Sequence, residues 1–132
     1  MSEGEWLFRA MLSDQDGLPQ VDASARTLGA RPAIDVPGDA SDEIDRFEGG
    51  MSASSGQPDN LPTHRRPPAF GGTGPDPIFA IRHGDLGHDL RWREDPAGPS
   101  GHGFLEPVRR MLFSEYQEAL WATRSGWQRW DP

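Results

Sequence analysis

WLFRAM, Trp6–Met11, is an apolar run with a single arginine, Arg9, set into it. Read as a strand, it points successive side chains to opposite faces. Trp6, Phe8 and Ala10 then share one face, and Leu7, Arg9 and Met11 share the other. What this strand pairs with decides the fold, and what a cation does on a core strand bears on the function.

Working outward, IFAIRH (Ile78–His83) is a second run of the same kind. DLRWRE (Asp89–Glu94) alternates Leu90 and Trp92 against Arg91 and Arg93, and HGFLEP reads as a short strand ended by Pro107. GGMSASSG, midway along the chain, is either a tight strand or a close-approach loop, since glycine permits contacts that a side chain forbids. The pieces between these runs read as connections. SDQDGLP is an acidic turn, and QVDASARTLGARPAID consists of short extended pieces punctuated by Gly29 and Pro32. VPGDASDEIDRFEG is an acidic loop with at most one helical turn around Ser41–Phe47, and Gln57–Pro77 is a long Pro- and Gly-rich connection. One helix is predicted from Ser114, whose hydroxyl would cap the first turn while Gln117 reaches back, and Gly126 would stop it. Its face of Tyr116, Leu120, Thr123 and Trp127 is expected to pack on the sheet. Short strands followed by a late helix give an α+β fold in a single domain spanning 1–132. No internal repeat is present.

Composition narrows the function classes. A chain of 132 residues can bury one core, and with only 34% hydrophobic residues that core should be small and built on the five tryptophans and six phenylalanines. A net charge of -8 argues against general affinity for nucleic acid or anionic membranes, which rests on Lys and Arg neutralising phosphates. Without cysteine, disulfides and thiolate metal sites are excluded. The opening MSEGEWLFRAMLSDQ is acidic and its apolar run is too short for a signal peptide, and no stretch approaches transmembrane length. The chain is therefore expected to be made as a soluble cytoplasmic protein, with export independent of a cleaved signal as a second route.

Several motifs bear on chemistry. HGDLGHD gathers His83, Asp85, His88 and Asp89 at a spacing that matches no common metal-ligand pattern, and its two glycines read as a turn. GMSAS departs from a nucleophile elbow, because Ser54 stands where glycine is needed. GGTG, Gly71–Gly74, lacks the lysine and following helix of a phosphate loop. THRRPP places His64, Arg65 and Arg66 together in an acidic chain, which suits either a phosphate or pyrophosphate ligand or surface salt bridges. Glu106 ends an apolar strand, where it is either a cleft carboxylate or a surface one.

The order of these features resembles that of ADP-ribosyltransferases: an arginine on the first strand, GG-x-S-x-S midway, a carboxylate on a late strand. LFRAM, GGMS, and HGFLEP followed by Met111, Tyr116 and a terminal helix are similar to small ADP-ribosyltransferase-fold toxins of the type VI secretion effector class. The resemblance spans Trp6 to Trp127 and also touches SARTLG and LPTHRRP. It implies a small, split, twisted β-sheet with a C-terminal helix and long loops, holding NAD in its central cleft. Arg9 would bind a phosphate or ribose of NAD, with His64, Arg65 and Arg66 near the same ligand. Ser52 would orient the nicotinamide ribose, Gly49 and Gly50 would let the ring approach, and Glu106 would stabilise the charge that builds as nicotinamide leaves. Phe104 stands two residues before Glu106 where such enzymes carry Gln or Glu, so protein-arginine modification is not expected. Asp85 and Glu94 are the alternative carboxylates.

The resulting expectation is a bacterial toxin domain that transfers ADP-ribose to a cellular target or hydrolyses NAD, with a cognate immunity or antitoxin protein as partner. Two other classes remain open. One is a non-enzymatic interaction protein, such as an immunity or toxin-neutralising partner, for which an acidic surface is natural. The other is a small metal-dependent hydrolase built on the HGDLGHD histidines.

Overall fold

Alternation sets the sheet. A computed structural model of the protein describes residues 5–132, and among them WLFRA forms β1 (Trp6–Ala10), MSASS forms β3 (Met51–Ser55) and IFAIR forms β4 (Ile78–Arg82). LRWRE forms β5 (Leu90–Glu94), HGFLEP forms β6 (His102–Pro107), and the two-residue β8 (Gln128–Arg129) closes the edge. These strands make a six-stranded antiparallel sheet in the order β5-β6-β3-β1-β4-β8. With the helix α1 (Phe113–Ala122) near the C-terminus, the fold is α+β. No helix of the described residues is long and apolar enough to cross a membrane.

The helix covers one face of the sheet. Leu7, Met11, Met51, Phe79, Ile81 and Leu105 point to it and form the main core with Tyr116, Leu120 and Trp127. The face of Tyr116, Leu120, Thr123 and Trp127 read from the sequence is buried at all four positions. The opposite sheet face carries a smaller cluster of Phe8, Leu61, Ile78 and Ala80, flanked by Trp6, Phe70 and Trp130. The long 57–77 connection lies there, with short 3-10 turns at Pro58–Asn60 and Pro68–Phe70. Beyond the helix face, the sheet also shows the arginine–glutamate and arginine–aromatic pairs of β5 and β6, where Arg91 stands across from Glu106 and Arg93 across from Phe104.

Three local readings are corrected. The acidic 36–49 stretch is not loop throughout. Instead Glu43–Ile44 (β2) pairs with Met111–Leu112 (β7), because Ile44 is fully apolar and buries against Met111. The segment around 20–35 forms turns and a lone Val21–Leu28 bridge rather than extended pieces. The helix begins at Phe113, so Ser114 lies exposed inside the first turn and caps nothing. Glu115 closes that end by accepting the Leu112 N–H at 3.1 Å. Gln117 does not reach back: it is buried and exchanges both amide hydrogen bonds with the Ala30 backbone, at 2.8 and 2.9 Å.

Tyr116 ties helix to sheet. Its hydroxyl donates to the Leu105 carbonyl at 2.6 Å and accepts the Met51 N–H at 2.9 Å, bridging β6 and β3 from inside the core. Tyr116→Phe should therefore cost about 1–3 kcal/mol, since two dry backbone groups lose their partner together. Ser114→Ala should change stability by less than about 0.5 kcal/mol. Urea denaturation midpoints of the two variants check both statements.

Candidate functional site

By its position in the alternation Arg9 belongs with Leu7 and Met11, yet its guanidinium does not enter the apolar core. β1 and β3 pair only at Leu7–Ser55 and Phe8–Ser54. Beyond those pairs the ladder stops, and Arg9 bonds the far strand through its side chain. Nη1 donates to the Ser52 carbonyl at 2.8 Å and to its hydroxyl at 3.2 Å. Nε and Nη2 donate to Thr27 at 3.2 and 3.0 Å, and Nη2 also reaches the carbonyls of Ser24 and Ala25 at 3.2 and 3.3 Å. One buried cation thus joins β1, the 24–27 turn and β3. Burial, and then the charge of Arg65, lower its pKa to about 10, so it remains a cation at neutral pH.

Where the strands part, a cavity of about 490 Å³ opens, a size in the range of small-molecule sites. Arg9, Arg31, Asp35, Ser52, His64 and Arg65 line it, together with His102. The wall thus holds three guanidinium groups against one carboxylate in a protein of net charge -8. Arg65 donates from Nη2 to the Ala10 carbonyl at 3.0 Å and to the Ala25 carbonyl, the same oxygen that Arg9 uses. Gly74 lets the chain pass close to the 64–65 backbone, because a Cβ there would stand 2.7 Å from the Arg65 carbonyl. Burial lowers the pKa of Arg65 as well, Asp76 opposing and Arg26 and Arg31 adding to the shift. Among the described residues neither Arg9 nor Arg65 forms an ion pair with a carboxylate. Asp76 is held by Arg26 at 2.6 Å, and Asp35 by Arg31 at 3.0 Å.

Arg9, Ser52, His64 and Arg65 therefore meet at one cavity, whereas the other residues read from the sequence do not line it. Glu106 is fully buried on β6, where it accepts Arg91 Nε at 2.6 Å, Arg93 Nε at 2.7 Å and the Phe47 N–H at 2.9 Å. Burial alone would raise its pKa, but the bonds from Arg93, Phe47 and Arg91 outweigh that and hold it below the usual carboxylate range. Gly49 and Gly50 approach the protein's own backbone rather than a ligand. At Gly50 (φ 143°) a Cβ would overlap the Leu105 carbonyl and stand 2.8 Å from the Tyr116 hydroxyl, and at Gly49 (φ 99°) it would overlap the Asp35 carbonyl. Arg66 braces its own loop, bonding Phe70 O at 3.1 Å and Thr63 Oγ1 at 3.2 Å. Asp85 ends an exposed 3-10 turn and Glu94 caps the Gly101 N–H at 3.0 Å. Among the described residues no three His, Asp or Glu side chains gather as a metal site, those of HGDLGHD included.

Arg31, Asp35 and His102 were missed. The i,i+4 pair in ARPAID was a readable signal for the first two: Asp35 accepts the Arg31 N–H at 2.7 Å as well as its guanidinium, which closes the loop over the cavity. His102 carried no signal beyond its residue type. Comparison with protein-family models, with curated proteins and with solved structures finds no match to this chain.

Two outcomes test the two buried charges. Arg9→Met should destabilise the protein by at least about 3 kcal/mol, since four backbone carbonyls lose a donor at once. Thermal and urea unfolding read this directly, and a variant as stable as the parent would contradict it. For Glu106 the folded pKa lies below the unfolded value of about 4.3, so its stabilisation is complete above that pH and is lost as pH falls through the lower folded value. Glu106→Gln should unfold more easily at pH 7 and show a flatter loss of stability between pH 5 and 2 than the parent.

Proposed function

We propose that the chain is an ADP-ribosyltransferase-like toxin domain that binds NAD in the cavity at the parting of β1 and β3 and breaks its bond to nicotinamide. The observation that carries this reading is the meeting of Arg9 and Arg65 on the Ala25 carbonyl without a carboxylate partner, in the wall of a ligand-sized cavity. Two desolvated cations side by side gain most from a shared anion, and a pyrophosphate offers charge to both and acceptors to Arg65. Among the described residues Arg65 donates from Nη2 alone and has Nε and Nη1 left for a ligand, while the Ser52 hydroxyl, an acceptor from Arg9, keeps its proton to donate.

When the glycosidic bond of NAD breaks, its electron pair leaves on nicotinamide and positive charge builds on the ribose. Water or an acceptor then forms the new bond and gives up a proton. An anion held nearby in a site with little water stabilises that charge. In this reading Asp35, fixed by Arg31 in the cavity wall, supplies it, and Glu106 acts at a distance by fixing Arg91 and Arg93.

Incubating the purified protein with NAD and following free nicotinamide tests the activity. Release is expected from the parent, and Arg65→Ala should weaken NAD binding at least about tenfold with its unfolding still cooperative. A parent protein that neither binds NAD nor releases nicotinamide would overturn the reading. Expression in bacteria should arrest growth.

A further inference from the structure

A strip of flat groups runs away from the cavity along β6 and β5. It begins at His102, which lines the cavity and meets the Phe104 ring edge-on at 5.5 Å. The Arg93 guanidinium lies 5.3 Å from the centre of the Phe104 ring and 5.5 Å from that of Phe47, and Arg91 lies 5.1 Å from Phe47. Phe47 itself is 69% exposed and has φ 65°, a left-handed conformation that a bulky residue rarely adopts. Nothing in the core calls for it. The turn is held from below, since Glu106 accepts the Phe47 N–H at 2.9 Å and the Glu48 carboxylate accepts the Asp45 N–H at 2.7 Å. Strain kept in place by a buried carboxylate, displaying an aromatic ring to solvent, marks a position built for contact.

The chemistry of the strip favours a ring over an acidic group. Glu106 accepts the Nε hydrogen bonds of both arginines and offsets one of their two charges, so the strip carries one net charge beside the Phe47 and Phe104 rings. Flat faces alternating with aromatic rings bind other flat rings by stacking and cation–π attraction. Phe104 lies two residues from His102, about 6.8 Å along the strand, and is the ladder partner of Ser52, which also lines the cavity. A ribose spans that step between a phosphate and a base.

We propose that Phe104, Arg93 and Phe47 form the base-stacking subsite for a purine nucleotide whose phosphates occupy the Arg9–Arg65 cavity. The proposal rests on the phosphate-binding reading of that cavity and goes beyond it by placing the base. Calorimetric titration of the full chain with inorganic pyrophosphate and with ADP separates the two. The parent should bind pyrophosphate, and should bind ADP roughly five- to 150-fold more tightly, the range expected for stacking one base. Phe47→Ala and Phe104→Ala should each shrink that gap while leaving pyrophosphate affinity unchanged. Phe47 is the safer variant, since its side chain is exposed and its removal leaves the core alone. ADP binding no tighter than pyrophosphate, or a gap that survives both substitutions, would overturn the stacking subsite with the phosphate site intact. Binding of an acidic Glu-rich peptide that is lost in Phe47→Ala, with the ADP gap unchanged, would do the same. A parent protein that binds neither ligand would remove the phosphate site and this subsite together.

Discussion

A buried guanidinium satisfied by neutral oxygens, and ion-paired to no carboxylate among the described residues, governs this fold. Arg9 stands where β1 and β3 stop exchanging backbone bonds, and its side chain replaces the missing rungs. Neutral acceptors meet its hydrogen-bonding needs but leave its charge uncancelled, so the cost of removing a cation from water is only partly offset. The parting of the strands, the placement of the 24–27 turn and the cavity between them all follow from seating that one group. Lysine could not do this, since three hydrogens on one nitrogen cannot serve the five oxygens, on the 24–27 turn and on β3, that the planar fork reaches.

Glu106 illustrates the opposite arrangement. It is as deeply buried, but two arginines and a backbone N–H surround its carboxylate, so the cluster carries one residual positive charge spread over two guanidinium planes. A compensated group of this kind holds geometry: β5 to β6, and the 45–48 turn to both. An uncompensated one leaves a field directed into the adjoining space. That contrast is why the cavity beside Arg9, rather than the carboxylate on β6, is the better place to look for a ligand.

The parts of the structure legible in the sequence are those where residue type reports burial. Apolar runs in WLFRA and IFAIR, alternation in LRWRE and the short stretch HGFLEP exposed the principal strands, and the spacing of Tyr116, Leu120, Thr123 and Trp127 exposed the buried helix face. β2 was illegible because two residues carry no periodicity, and Glu43–Ile44 forms a strand only through its distant pairing with Met111–Leu112. The helix start was misread for a related reason, as Ser114 had the chemistry of a cap while Glu115 had the position. At the candidate site, Arg9 could be named because a cation in an apolar run is conspicuous, His64 and Arg65 because basic residues cluster in THRRPP, and Ser52 only through the resemblance of GGMS to ADP-ribosyltransferases. Their partners could not be named, because Arg9 and Arg65 bond backbone carbonyls, which every residue carries. The pairing of Glu106 with Arg91 and Arg93 depends on register, which is set only when β5 lies beside β6.

Seating Arg9 also divides the labour within the cavity. Every donor position of its guanidinium is already committed to the protein, so it can act on an anion through its field alone. Hydrogen bonds to a ligand must come from the groups around it, namely Arg65 with two uncommitted nitrogens, the Ser52 hydroxyl and His64. Folding has by then largely desolvated Arg9 and partly desolvated Arg65, so an arriving anion meets charges that need little further stripping of water. The same Coulomb attraction is stronger there than at an exposed arginine pair. The like-charge proximity of Arg9 and Arg65 is therefore what would make the cavity selective for a doubly charged ligand over a singly charged one: a single charge relieves the repulsion only in part, while a pyrophosphate can face both guanidinium groups at once.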